Sequence, residues 1–376
     1  MPAYARKEIV RDDEVGIYHC VSRCVRRAFL CGEDPVSGRD YGHRKEWIRA
    51  RLEELAGIFG VEVCGYAVMS NHLHVVVRTR PDVAAGWSKD EVARRWWRLF
   101  PRRRDKDGRP AEPHRHELAM LVAEPEAAAE RRRRLGSLSW FMRCLCEPIA
   151  RRANKEDECT GRFWEGRFKS QALLDEAAVL ACNIYVDLNP IRAAICETPE
   201  QARFTSAHDR IRSRQARRRE ARRRGRVGSR QRTSSASVRD GWLCPVETQN
   251  ASPPPINTTS RSSKGRGILK TSQTQPPPGR RATHEGFLSI SLDDYLRLLD
   301  WTGRQIRSGK RGAIPGHLAP LLDRLQVDAG SWTESVRHFG RWFHRAVGRA
   351  GRLAEEASRG GKHWLQGLSR CRQAFV

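Results

Sequence analysis

Apolar positions in the first 200 residues follow two rhythms. From Ile17 to Arg23, Val61 to Val68 and His72 to Thr79, short β-branched runs bounded by Gly, Ser or Asn predict strands. From His43 to Phe59, around Trp96 and Trp97, and from Leu138 to Asn154, the spacing is that of helices. A further strand is expected from Phe163 to Leu174. Between Asp175 and Pro190, Leu180, Ile184 and Leu188 recur every four residues as one buried stripe of a helix. Asp175 and Glu176 suit its N-terminus and Pro190 its end. The order predicts an α+β unit, an antiparallel sheet with packed helices, interrupted by a charged insertion at about residues 81–134.

The same periodicities sort the polar residues. Strand alternation puts His72 and His74 on one face with Val76 and Arg78, while Leu73, Val75 and Val77 supply core on the other. Two adjacent imidazoles are half of a divalent-metal site; taken alone they are equally two unrelated strand histidines. In the first strand Tyr18, Cys20 and Ser22 share one face, and His19, Val21 and Arg23 the other. Tyr185 and Asn189, four apart, are neighbours in the last helical turn. By themselves they are a tyrosine at the core edge and an amide capping the helix.

Charge narrows the partner. Seventy Lys and Arg against 44 Asp and Glu leave a net charge of +26, with pI near 10.5, which points to nucleic acid. Residues 203–286 hold 20 basic and 5 acidic residues, including Arg217-Arg218-Arg219 and Arg222-Arg223-Arg224, then turn Pro-, Ser- and Thr-rich. This stretch is expected to be a disordered basic linker that grips phosphates without reading sequence. The alternation of aromatic and basic residues from Phe163 to Lys169 suits base stacking and phosphate contact, or a core strand with solvated charges. Residues 287–376 return to helical patterning, with helix starts at Ser291 and Ser331 and a small core of Trp301, Ile306, Trp332, Phe339, Trp342, Phe343 and Trp364. No apolar run approaches the roughly 20 residues of a membrane span, and the N-terminus lacks a signal-like apolar region. The eleven cysteines form no convincing metal or disulfide framework, so reduced cytoplasmic thiols are expected.

Four ordered blocks complete the picture: Tyr18 to Arg27, Met69 to His74, Gly161 to Ser170, and Tyr185 to Ala193. Together they resemble the HUH single-strand endonucleases, specifically the REP-associated tyrosine transposases and their single-tyrosine insertion-sequence relatives. The resemblance spans roughly the first 200 residues, about half the chain. It implies the family's ferredoxin-like HUH sheet within residues 1–202 and a DNA nickase and strand transferase working through a 5′-phosphotyrosine. Tyr185 matches the nucleophile, His72 and His74 the paired ligands of Mg²⁺ or Mn²⁺, and Asn189 the polar residue completing the metal site. DNA contacts fall to Arg23, Arg26, Arg27, Trp164, Arg167, Lys169 and Arg192. His19 either joins them, supports the metal ligands from behind, or is an ordinary half-buried histidine.

The implied partner is single-stranded or hairpin DNA, with a homodimer an open arrangement, no membrane, and a cytoplasmic, nucleoid-associated location. Two other readings compete: a domesticated hairpin-binding protein without turnover, and a replication or conjugation nickase. Because the linker is expected to contribute no core, a fragment ending near Ala202 is expected to fold and keep its chemistry.

Overall fold

In a computed structural model of the protein, residues 8–25, 31–32, 38–227, 239–248, 280–306, 322–323, 325, 327 and 329–375 are described. The three strands predicted by alternation form one end of a five-stranded sheet: β1 (Gly16–Arg23), β2 (Val61–Val68) and β3 (His72–Thr79). With β4 (Lys169–Leu173) and β5 (Ala346–Val347) the order is β2-β3-β1-β4-β5. All pairs are antiparallel except β4 with β5, so the sheet is mixed rather than purely antiparallel as expected. A tight turn closes β2 onto β3, where the Met69 amide donates to the His72 carbonyl at 2.9 Å.

Fourteen helices among the described residues surround the sheet. Before β4 lie α1 (Arg44–Ala56), α2 (Pro81–Ala85), α3 (Lys89–Leu99), α4 (Arg115–Leu121), α5 (Pro125–Gly136) and α6 (Leu138–Glu156). After it come α7 (Glu176–Asp187), α8 (Asn189–Arg192), α9 (Ser206–Val227) and α10 (Leu292–Ile306). The last are α11 (Ala329–Arg337), α12 (Phe339–Trp342), α13 (Ala350–Arg359) and α14 (Leu368–Ala374).

One sheet face is a dry core. Leu52 and Leu55 of α1, Phe59 in the turn after it and Phe141 of α6 are buried, as are Val75 and Val77 of β3. Each such side chain contributes about 1.5–3 kcal/mol through burial.

The opposite face is covered by α7, whose residues from Ala177 to Asp187 are all buried. A helix buried on every side is mostly apolar, with Asn183 and Asp187 hydrogen-bonded where they are buried, and this one starts from an Asp175 cap whose carboxylate accepts from the Ala178 amide at 2.9 Å. The register of β2 on β3 slips between Val63 and Gly65. A Cβ at Gly65 would stand 2.3 Å from Asn183 Oδ1, so only glycine lets α7 lie this close to the sheet. The charged insertion is helical: α3 and α4 bury Ala93, Trp97, Leu118 and Leu121 as a small core of their own.

The structure corrects further expectations. Only Lys169–Leu173 of the strand expected over Phe163–Leu174 is regular; Trp164 makes one isolated bridge to Cys24. The described parts of residues 203–286 are not an unfolded linker. Ser206 through Arg210 are buried at the start of α9, and Trp242, Leu243 and Cys244 join the core. Arg78 reaches back to the carbonyls of Glu285 and Gly286, at 2.7 and 2.9 Å. Residues 228–238 and 249–279, the remainder of the expected linker, lie outside the described residues.

Nor is the C-terminal region a separate module, because β5 extends the same sheet: Ala172 and Leu174 amides donate to the Arg345 and Val347 carbonyls. Within that region Trp332, Phe339 and Phe343 are buried as expected, but Trp364 is exposed, and α11 begins before the predicted cap at Ser331.

Among the described residues no disulfide joins the cysteines, and no helix is long and apolar enough to cross a membrane.

Candidate active site

Strand register assembles the site. Val21 lies opposite His74, Arg23 opposite His72, and His19 opposite Val76 on β3 and Gln171 on β4. Opposed residues in an antiparallel pair share a face, so His19, Arg23, His72, His74, Lys169 and Gln171 all project toward α7. There Tyr185, 9% exposed, meets them. Its ring centre is 5.8 Å from that of His74 and 6.1 Å from that of His19, both edge-on. His19 and His74 are stacked with centres 5.1 Å apart, and His72 stands edge-on to His74 at 4.7 Å.

These groups border a cavity of about 790 Å³, together with Arg23, Arg167, Phe168, Lys169 and Gln171. Arg23, Arg167 and Lys169 are exposed, making a cationic rim over a buried floor.

The far wall comes from the C-terminal region. Phe339 stacks on Tyr185 at 5.3 Å, and Gly340, Phe343 and His344 line the cavity. A Cβ at Gly340 would sit 2.7 Å from the Tyr185 hydroxyl oxygen. Arg192 lies 4.8 Å over the Tyr185 ring and donates to the Arg337 carbonyl at 2.5 Å. The ring of the nucleophile candidate is therefore held by Phe339 and Arg192. Neither Phe339, predicted as ordinary core, nor Gly340 carried a local signal of this role. Gln171 did: strand alternation from Lys169 places it on the same face.

Burial governs the imidazoles. His19 is pushed down to about 4, first by burial, then by the charge of His72, with the Gln171 hydrogen bond pulling upward. His72 is pushed down to about 4 by burial and the charge of Arg23. His74 falls well below the ordinary range, chiefly through burial. All three are neutral at pH 7, the form that ligates metals.

The pair fits a divalent ion in one specific respect. His74 Nε2 is buried and has no hydrogen-bond partner among the described residues. Buried polar atoms are ordinarily satisfied, and a lone pair left open beside a second imidazole is what a cation takes. No cluster of three or more His, Cys, Asp or Glu side chains suited to a metal occurs among the described residues. The site thus offers two imidazoles and leaves the remaining positions to neutral groups or substrate.

The other predicted residues divide. His72, His74, Tyr185, His19, Arg23, Arg167 and Lys169 meet at the cavity. Asn189 does not line it: its amide nitrogen donates to the Tyr185 carbonyl at 3.1 Å, capping the helix end. Trp164 is turned into the fold, with its indole N–H on the Cys146 carbonyl at 2.9 Å. Arg192 is committed to Tyr185 and Arg337 as above. Arg26 and Arg27 lie outside the described residues.

No family model matches the chain, and neither does any curated protein. A solved structure of a REP-associated tyrosine transposase bound to a REP hairpin is similar over 56% of this chain and 86% of that one, at 11% identity and a TM-score of 0.33. So distant a likeness carries no argument about activity. Function has to be read from the residues of the cavity.

Proposed function

We propose that the protein nicks and rejoins single-stranded DNA at hairpin-forming sequences, with Tyr185 as nucleophile. The observation that carries this reading is the convergence of one tyrosine and two neutral histidines on a cavity rimmed by Arg23, Arg167 and Lys169. A phosphodiester is anionic, and an exposed cationic rim over a dry floor concentrates and orients it. Exposed Arg167 and Lys169 hold flanking phosphates, while Phe168 offers a ring to an unstacked base.

The Tyr185 oxygen attacks phosphorus; its O–P bond forms as the bond to the 3′ oxygen breaks. The phenol loses one proton and the departing 3′ oxygen gains one, leaving a 5′-phosphotyrosine and a 3′-hydroxyl. Attack of a 3′-hydroxyl on that ester reverses the step and joins strands. His72 and His74 would hold Mg²⁺ or Mn²⁺, which supplies charge neutralisation at the scissile phosphate. Phe339 and Arg192 fix the ring plane, so that little orientational freedom remains to be lost on the way to attack.

The test is incubation of the full chain with labelled single-stranded hairpins and Mn²⁺, followed by a denaturing gel. A metal-dependent covalent protein–DNA band supports the reading. Tight binding with no such band, across hairpins of varied sequence, points instead to a hairpin-binding protein without turnover.

A further inference from the structure

The position of His19 is not accounted for by phosphate contact. It is buried at 5% exposure, and its Nε2 lies 2.9 Å from His74 Nδ1. On the neighbouring strand Gln171, also buried, stands directly opposite it. We propose that Gln171, His19 and His74 form a hydrogen-bond relay that fixes the tautomer of His74, making His19 and Gln171 positioning residues of the nicking centre. The inference rests on the reading above and deepens it.

The protons can be assigned by elimination. A neutral imidazole has one N–H and one lone pair. His19 uses Nε2 toward His74, so Nδ1 is the nitrogen left to face Gln171 across the strand pair. Of the two proton placements in the His19–His74 contact, only one leaves His74 Nε2 a bare lone pair rather than a buried N–H with no acceptor, and in that one His19 keeps its proton for the Gln171 amide. His19 then carries its proton on Nδ1, and its Nε2 is an acceptor. The donor in the 2.9 Å contact must therefore be His74 Nδ1–H. The remaining His74 nitrogen, Nε2, is left as a bare lone pair, and it is the one that lacks a partner.

With the opposite proton placement His74 Nε2 would carry hydrogen and be unable to ligate. Ligating histidines ordinarily donate their second N–H to a fixed acceptor; here another imidazole, itself fixed by an amide, fills that part. The same contact excludes His19 from the ion bound by His74 Nε2, since His19 Nε2 is engaged at the far nitrogen of the ring.

The test uses the full chain labelled with ¹⁵N-histidine, first without metal. Imidazole ¹H–¹⁵N correlations should show His74 and His19 both protonated on Nδ1. A His74 protonated on Nε2 overturns the relay, whatever any variant does. Calorimetry with Mn²⁺ follows. His19→Phe should weaken Mn²⁺ binding about 10–100-fold, the usual cost of losing a partner behind a metal ligand. His19→Gln returns an acceptor oxygen and should recover most of the loss, while Gln171→Leu should cost less than His19→Phe.

A folded His19→Phe protein that binds Mn²⁺ like the wild type contradicts the proposal. So does a direct shift of His19 Nε2 on Mg²⁺ binding, which makes it a ligand. Expected tautomers in a wild-type protein that binds no Mn²⁺ leave the relay standing and sink the metal-dependent nickase instead.

Discussion

The two walls of the cavity are built differently. The strand wall, from β1, β3 and β4, supplies His19, His72, His74 and Gln171, with Arg23 and Lys169 above them. The C-terminal wall supplies Gly340, Phe343, His344 and Gln366, with Phe339 against Tyr185, and its main contacts with Tyr185 are a stacked ring and a closely approaching backbone. One wall sets the chemistry and the other sets where the phenol sits. Because the second is mostly apolar and packed, it acts by excluding alternative positions of Tyr185, so its variants should change rate more than ion affinity.

Removing the second wall altogether should have the largest effect. Asp187, fully buried, is held by Ser206 Oγ at 2.5 Å, the Ala207 amide at 2.9 Å and Tyr295 Oη at 2.6 Å. Trp242 packs on Tyr66 with ring centres 5.3 Å apart. A chain ending at Ala202 loses all of these. Stripping partners from a buried charge costs about 3–5 kcal/mol, and losing a buried tryptophan costs a similar amount. Against a typical total of about 5–15 kcal/mol, the fragment should not fold, contrary to what the sequence suggests. Circular dichroism and urea titration of residues 1–202 check this; a cooperative transition near that of the full chain would break the comparison.

Next in size is the strand wall. His74→Ala should lower nicking by at least about 100-fold, or ~2.7 kcal/mol at the transition state, and weaken Mn²⁺ binding, with hairpin affinity little changed. Gly340→Ala, by contrast, should leave Mn²⁺ affinity at the wild-type level. Its added carbon would meet a hydroxyl whose ring is clamped by Phe339 and Arg192, so nicking should fall about 10–100-fold through misplacement. Equal losses of ion affinity in both variants would erase the division of labour between the walls.

The smallest effect is on stability against pH. His19 and His72 are depressed to about 4 in the fold, against about 6.5 when unfolded. Below pH 6.5 the unfolded chain binds more protons, so stability is fully present above that pH and is lost as pH falls toward 4. The slope should be at most about 1.4 kcal/mol per pH unit for buried His19, and less for half-buried His72. The gap between urea midpoints at pH 7 and pH 5 should narrow in a protein carrying His19→Gln and His72→Gln, with buried His74 keeping part of it.

The strand wall was legible because its logic is local. Period-two alternation alone puts His72 with His74 and His19 with Arg23, and would have put Gln171 with Lys169. Strands β2 and β3 appear with the boundaries their valines predict. The C-terminal wall depends on contacts across 150 residues of chain, such as Phe339 on Tyr185, and no periodicity encodes such a contact.

Charge also misled the reading of residues 203–286. Composition predicts arginines that grip phosphates from a disordered linker, but Arg210 is buried, bonding the Cys64 and Cys244 carbonyls at 2.7 and 3.1 Å. A basic residue that satisfies backbone groups in the core cannot be told from a solvated one by composition. Asn189 had two readings in the sequence, ligand or cap, and its bond to the Tyr185 carbonyl is that of the cap.

The central claim is that this cavity makes a covalent bond to DNA through Tyr185. The most direct measurement is peptide mapping by mass spectrometry after reaction of the full chain with a single-stranded hairpin and Mn²⁺. The account predicts a nucleotide adduct on the peptide containing Tyr185, dependent on the ion and absent from Tyr185→Phe, while that variant binds the hairpin as the wild type does. An adduct on Tyr18 or Tyr66, or an undiminished adduct in Tyr185→Phe, would contradict it.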